Sequence, residues 1–292
     1  MSVVLAIDAG TTGVRTRAVF DDGQESFSAY REFTQYFPQP GWVEHDALEI
    51  WDAIVATLQE VCKKLTQPAS AIGITNQRET VLAWDKRTGQ PTAHAIVWQD
   101  RRTAERCEEL LPHLDRVRAV TGLVLDPYFS GTKAAWLLQH TSVPPIEHLC
   151  IGTIDSWLVW KLTAGAAFAT DPSNASRTML FDINTLQWSA EMCDLLGVPM
   201  SVLPTVQPSS GRFGVTTDVL GVPNGIPISG IAGDQQAALF GQACTSVGMA
   251  KNTYGTGSFI LLNIGTTCPT PADGMLTTVA WDLGDGAPVY AL

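Results

Sequence analysis

A short apolar run from Val3 to Asp8 breaks at Ala9-Gly10-Thr11-Thr12-Gly13 and resumes as an alternating stretch from Arg15 to Phe20. Few features constrain a chain more. A β-branched run of that length reads as a buried strand, and the glycine-bearing turn sends it straight back on itself. Asp21-Asp22-Gly23 then leads into a third extended stretch, Glu25 to Phe33, so the chain is expected to open with an antiparallel meander. The arrangement recurs far downstream. Ala250 to Tyr254 and Ser258 to Asn263 flank Gly255-Thr256-Gly257, and Leu276 to Trp281 and Pro288 to Leu292 extend that set. Glycines let backbone N–H groups approach an anion closely, and threonines add donors. One such hairpin is equally well an ordinary β-turn. Two, each opening a meander, point to a pair of related half-domains holding a polyphosphate between them. No G-x-x-x-x-G-K-[ST] sequence occurs, so this is not a P-loop.

The intervening sequence alternates helix and strand signals. Ile50, Trp51, Ile54, Val55, Leu58, Val61, Cys62 and Leu65 form one apolar stripe on a helix expected over 47–65. Asp46 suits its N-cap, and Lys63-Lys64 suit its C-terminal end. Ala71 to Thr75 reads as a buried strand with Val81 to Trp84 as its neighbour, and helices are expected near 103–111 and 133–140. The apolar run Ile226 to Ile231 leads to Gly233-Asp234-Gln235-Gln236, which opens a helix ending near Gly241. The change of texture at Gly248 marks a boundary, giving expected units of 1–248 and 249–292.

Composition narrows the function classes. Of 292 residues, 45% are hydrophobic and 16% charged, which suits a packed interior rather than disorder. The net charge of −11 excludes a duplex nucleic-acid partner, which would need a phosphate-neutralising excess of Lys and Arg. No window reaches the ~20 apolar residues of a membrane span. With no basic, apolar leader at the N-terminus, the cytoplasm is the expected compartment. The six cysteines are scattered without a C-x-x-C, so buried reduced thiols are expected rather than a zinc site or disulfide framework.

Several polar residues sit where chemistry could use them. Asp8, at a strand end, could hold Mg²⁺ through water, since Mg²⁺ keeps much of its hydration shell. Arg15 could reach a terminal phosphate. Asp234 stands where a buried strand meets a helix start, which suits either an N-cap or a general base facing a cleft. Arg78-Glu79 can hold a polyol by opposite means, one donating to hydroxyl oxygens and one accepting from hydroxyl protons. As a lone Arg-Glu dipeptide, the pair reads by default as a surface ion pair of little consequence. Trp98 and Tyr128 offer faces for the C–H side of a small polyol, or serve as core aromatics. The five histidines show no metal-ligand spacing.

Taken together, Gly41 to Asp46, Gly73 to Thr80, Asp126 to Lys133, Asn174 to Phe181, Gly230 to Phe240 and Lys251 to Gly257 carry a resemblance. The chain resembles the FGGY carbohydrate kinases of the actin-like superfamily, and within them the branch that phosphorylates glycerol. The resemblance implies an α/β fold, an actin-like ATPase (ribonuclease H-like) domain with a mixed sheet flanked by helices, followed by the opening β-meander of a second. It implies ATP and Mg²⁺ as partners of a small polyol, with no nucleic acid and no membrane insertion, and leaves a homo-oligomer open. Carried over by position, Asp234 matches the catalytic base. Arg78, Glu79, Trp98, Tyr128, Asp234, Gln235 and Phe259 match the substrate set. Thr11, Thr12, Gly13, Arg15, Gly255 and Thr256 match the nucleotide motifs, with Asp8 near the metal. Gly13 stands where that branch commonly carries Ser, which removes one hydroxyl. The second domain is expected to stop short, without the adenine pocket and with an open sheet edge. Other polyol or ketose kinases, and a polyol binder without catalysis, are the competing readings.

Overall fold

The computed structural model describes residues 2–255, 257–269 and 274–292. The expected opening meander forms from β1 (Val3–Ala9), β2 (Gly13–Phe20) and β3 (Phe27–Glu32), each antiparallel to the one before. Helix α1 (Ala47–Cys62) follows, with the Asp46 carboxylate accepting from the Leu48 N–H at 2.8 Å. It stops short of the expected end, and Lys63 and Lys64 lie beyond it. Strand β4 (Ala71–Asn76) then runs parallel to β1. Strand β5 (Val81–Asp85) leads to α2 (Ala104–Glu109), α3 (Leu114–Thr121) and α4 (Ser130–His140). Next come β6 (Leu149–Thr153), α5 (Ile154–Leu162), α6 (Pro172–Ala175) and α7 (Ala190–Leu196). The chain continues through β7 (Ser210–Val215), β8 (Pro227–Gly233) and α8 (Asp234–Gly241). It closes with β9 (Ala250–Tyr254), β10 (Ser258–Gly265), β11 (Thr278–Trp281) and β12 (Val289–Ala291).

The main sheet has the order β7-β8-β4-β1-β2-β3, with β8, β4 and β1 mutually parallel. Period-2 alternation along β1 buries Val3, Leu5 and Ile7 on one face. That face packs on Ile50, Ile54 and Leu58 of α1, and on Trp157 and Leu158 of α5. A second sheet is built on β5, and Phe129, Leu137, Met192 and Leu196 belong to the core on its far side.

Two expectations fail here. Val81 to Trp84 is a strand but not the neighbour of β4, because β1 and β8 already occupy both edges of β4. The chain leaves the main sheet through Gln77 to Thr80, with Glu79 at a φ of 64°, and β5 instead pairs with β6. Downstream, the hairpin β9–β10 matches the opening one, but the third strand does not. Strand β12 inserts between β10 and β11. Strand β11 is held at the end of α6, where the C-cap Ser176 Oγ lies 2.8 Å from Thr278 Oγ1 and accepts from the Val279 N–H at 3.2 Å. The cysteines are free thiols, four of them buried. Among the described residues no helix is long and apolar enough to cross a membrane.

Candidate active site

Parallel pairing decides where the polar residues meet. Ala9, Asn76 and Gly233 lie abreast at the carboxyl ends of β1, β4 and β8. The next residues along, the Gly10 turn, Gln77-Arg78-Glu79 and Asp234, therefore emerge at one edge, where open α/β sheets place ligands. Gly233 is required there. A Cβ on it would come within 2.7 Å of the Arg78 side chain, so glycine lets the Arg78 stem cross the end of β8.

The side chains converge on a cavity of about 170 Å³. It is lined by Thr11, Arg78, Glu79, Trp98, Tyr128, Asp234, Gln235, Thr253, Gly255, Gly257 and Phe259. Arg78 is buried at its centre. Its Nε lies 3.4 Å from Asp234 Oδ1 and 3.7 Å from Glu79 Oε1. Its other nitrogens donate to Gln236 Oε1 at 3.2 Å and the Tyr128 hydroxyl at 3.4 Å. Burial opposes the charge on Arg78, but Glu79 first, then Tyr128 and Asp234, hold its pKa above the ordinary value. The pair is thus no exposed ion pair, and the surface reading of Arg78-Glu79 fails. Glu79 is 1% exposed in a left-handed conformation costly for a residue with a Cβ. Arg177 Nε and Ser130 Oγ hold it, donating to its Oε1 at 2.8 Å and to its carbonyl at 3.0 Å.

Asp234 is the first residue of α8 and not its N-cap, which is Gly233. Its Oδ1 accepts from the Gln235 N–H at 2.7 Å and its Oδ2 from Gln235 Nε2 at 3.3 Å. Its side chain keeps 35% exposure into the cleft, enough for a ligand to reach it. Burial raises its pKa, partly offset by Arg78, and a more basic carboxylate is a better proton acceptor. Burial likewise pushes the Tyr128 hydroxyl up to about 12, keeping it a neutral donor.

Aromatic rings close the sides. Trp98 meets Tyr128 and Phe259 edge-on at 5.7 and 6.2 Å, and the Arg78 guanidinium sits 5.6 Å from the Phe259 centroid. Trp98 Nε1 donates to Thr11 Oγ1 at 3.1 Å, tying this wall to the first glycine hairpin. Each hairpin is closed by a backbone bond, Gly10 N–H to the Gly13 carbonyl three residues on and Gly255 N–H to the Gly257 carbonyl two residues on, both at 3.0 Å.

The other described residues singled out in the sequence do not line the cavity. Asp8 is solvent-exposed and does not line it. Its pKa is raised by the walls that desolvate it and by the charge of Asp234, against the pull of Arg15. Arg15 is exposed and its guanidinium stacks 5.2 Å from the Tyr30 ring centroid. Thr12 is exposed in the turn, and Gly13 is buried in β2. Thr256 lies outside the described residues. Among the described residues no cluster of three His, Cys, Asp or Glu is arranged for a metal. A lone, open carboxylate such as Asp8 suits a hydrated Mg²⁺ that arrives with its own phosphate ligands.

Three buried cations escaped the sequence reading. Arg177 supports Glu79. Lys133 is fully buried, and its Nζ donates to the Tyr128 and Val97 carbonyls at 2.9 and 3.2 Å. Burial drives its pKa down to about 7. Lys251 donates to Gln235 Oε1 and to Thr253 Oγ1, and burial, then Arg78, lowers its pKa to about 8. Each is a lone cation in a mostly uncharged stretch, which is the one sequence signal that could have marked it.

Comparison with known proteins identifies the family. The profile of the FGGY family of carbohydrate kinases, N-terminal domain, matches residues 3–241. The chain is 52% identical over 300 residues to the glycerol kinase of Mycoplasmoides gallisepticum, covering 99% of this chain and 59% of that protein. It is 51% identical over 298 residues to the glycerol kinase of Bacillus velezensis, covering 99% and 60%. The crystal structure of Plasmodium falciparum glycerol kinase with ADP has a TM-score of 0.94 and 38% identity, covering 100% of this chain and 60% of that one. A xylulose kinase from Lactobacillus acidophilus, at 18% identity and a TM-score of 0.86, shares the fold. The chain spans about 60% of the length of the curated relatives it matches. Its mixed sheet with flanking helices is the actin-like ATPase architecture of these neighbours. With identity running over nearly its whole length and one architecture throughout, the chain belongs to the FGGY family of carbohydrate kinases.

Proposed function

We propose that this chain supplies the polyol site and the proton acceptor of an ATP-dependent glycerol kinase, transferring the γ-phosphoryl of ATP to a glycerol hydroxyl and releasing ADP. The observation that carries the reading is the buried Arg78–Glu79 pair beside Asp234 in a cavity of about 170 Å³. Such a cavity suits a three-carbon triol, with a guanidinium donating to its hydroxyl oxygens and a carboxylate accepting from its hydroxyl protons. Trp98, Tyr128 and Phe259 would cover its C–H faces, and Gln235 would border it. The attacking oxygen forms a bond to phosphorus, the bond from phosphorus to the bridging oxygen of ADP breaks, and the hydroxyl proton passes to Asp234. An ionised carboxylate suffices because positioning and charge neutralisation supply most of phosphoryl-transfer catalysis.

The two hairpins, with Thr11, Thr12 and Gly13 on one side and Gly255 and Thr256 on the other, would take the phosphates, and Arg15 their outer charge. Mg²⁺, when bound near Asp8, neutralises that charge. On this reading the polyol-binding domain is 1–248, and 249–292 opens the nucleotide-binding domain. The chemistry suits the cytoplasm, where ATP and Mg²⁺ are supplied.

Acceptor profiling tests the assignment. The protein, ATP and Mg²⁺ are offered glycerol, a pentulose or gluconate, and ADP release is followed. Glycerol is expected to be strongly preferred. Preference for the pentulose would refute the reading of Arg78-Glu79. Calorimetric binding of glycerol without turnover would leave a polyol binder instead.

A further inference from the structure

Gln235 lies between two charges. Its Oε1 accepts from Lys251 Nζ, and its Nε2 donates to Asp234 Oδ2 at 3.3 Å. The two ends of an amide are alike in shape and opposite in hydrogen bonding, so one partner dictates what the other end presents. An ammonium only donates. It therefore takes the amide oxygen and turns the NH₂ toward the carboxylate. With the amide reversed, its oxygen would face Asp234 Oδ2, and the carboxylate would lose a donor.

The strand that carries Lys251 makes the placement informative. Along β9 the other residues are exposed or half-buried, and Lys251 alone points fully inward, at 3% exposure. Burying an ammonium is costly unless it is hydrogen-bonded. The second bond of Lys251, to Thr253 Oγ1 at 2.7 Å, lies on the same face of the strand and reaches the cavity wall, two residues before Gly255. Lys251 thus joins the second glycine hairpin to the first turn of α8. A simple tether between strand and helix would not need an ammonium, since an apolar side chain would bury there at less cost.

We propose that Lys251 is a positioning residue that sets the Gln235 amide, and through it the Asp234 carboxylate, in register with the Gly255–Gly257 hairpin. The proposal rests on the reading of Asp234 as proton acceptor given above. It separates the candidate replacements by donor character rather than size. Arginine only donates, glutamine can offer either end, and methionine offers nothing.

The test uses Lys251→Arg, Lys251→Gln and Lys251→Met in the protein, with three readouts. These are solvent exchange of the Gln235 side-chain amide protons by ¹⁵N NMR, the Asp234 carboxyl titration by ¹³C NMR, and kcat against KM for glycerol. Lys251→Met is expected to speed amide exchange, raise the Asp234 midpoint and lower kcat by about 10-fold or more, the scale of a hydrogen bond to a charged group. Glycerol KM should move far less. Lys251→Gln should fall between, and Lys251→Arg should recover most of the wild-type values. If Lys251→Met does not fold, the ordering of Arg above Gln decides. A folded Lys251→Gln or Lys251→Met with wild-type amide exchange and Asp234 titration overturns the proposal. The two NMR readouts need no glycerol, so a protein that fails to phosphorylate glycerol refutes the functional reading while they still decide the role of Lys251.

Discussion

Arg177 Nε donates to Glu79 Oε1 at 2.8 Å, with the two side chains 5% and 1% exposed. Glu79 is therefore flanked by guanidiniums on both sides, Arg78 along the chain and Arg177 from the α6 region. The same oxygen takes both, which leaves Oε2 for the cavity. The Arg177 guanidinium also lies 5.0 Å from the Phe129 ring centroid, so its plane is fixed by packing as well as charge.

Removing Arg177 should be felt in stability and in ligand affinity. Arg177→Met leaves a buried carboxylate with one distant partner, a loss of ~3–5 kcal/mol by analogy with other broken buried pairs. Denaturant unfolding should register that loss, and calorimetry should show glycerol affinity falling by at least about tenfold. Wild-type values for both would show that Arg78 alone sustains Glu79.

Lys133 predicts a pH dependence. Its folded-state pKa is lowered to about 7 by burial, while an unfolded lysine titrates near ~10.4. Between these values the unfolded chain binds more protons, so the Lys133 contribution to stability rises with pH. The destabilisation is complete below about pH 7 and fades toward the unfolded value. Subtracting the unfolding free energies of Lys133→Met from those of the wild type isolates this slope from that of the buried thiols. The difference should grow in favour of the wild type as pH rises above neutrality. A flat difference would mean that Lys133 keeps its proton.

Gly13 predicts a packing conflict. A Cβ there would lie 2.5 Å from the Tyr30 hydroxyl and 2.6 Å from the Arg31 carbonyl oxygen. Gly13→Ser should cost ~1–3 kcal/mol, the usual range for overpacking, read as a fall in thermal midpoint. Tyr30→Ala in the same chain should recover only part of it, because the Arg31 carbonyl stays in place. Full stability for Gly13→Ser would mean that β2 and β3 separate there at little cost.

Much of the frame was legible in the sequence because its signals are local. Alternation marked β1 and β2, an apolar stripe marked α1, and a Gly-Asp junction marked the start of α8. What was missed depends on long-range pairing. Nothing local to Val81–Asp85 says that β4 already has a neighbour on each side. The insertion of β12 between β10 and β11, and the bonds of Ser176 to β11, both join residues far apart in sequence. At the site, the seven residues that the sequence points to, Arg78, Glu79, Trp98, Tyr128, Asp234, Gln235 and Phe259, line one cavity. Arg177, Lys133 and Lys251 carry no such role in the sequence reading, because a lone cation reads as surface until its burial is known.

The account stands on Asp234. In the protein assayed with ATP and Mg²⁺, Asp234→Asn keeps the shape and the bond to the Gln235 N–H but loses the proton acceptor. Glycerol phosphorylation should fall by at least about 100-fold, the scale of a lost general base. Calorimetric affinity for glycerol should stay within a few-fold of the wild type. Near-normal turnover by Asp234→Asn would contradict the central claim.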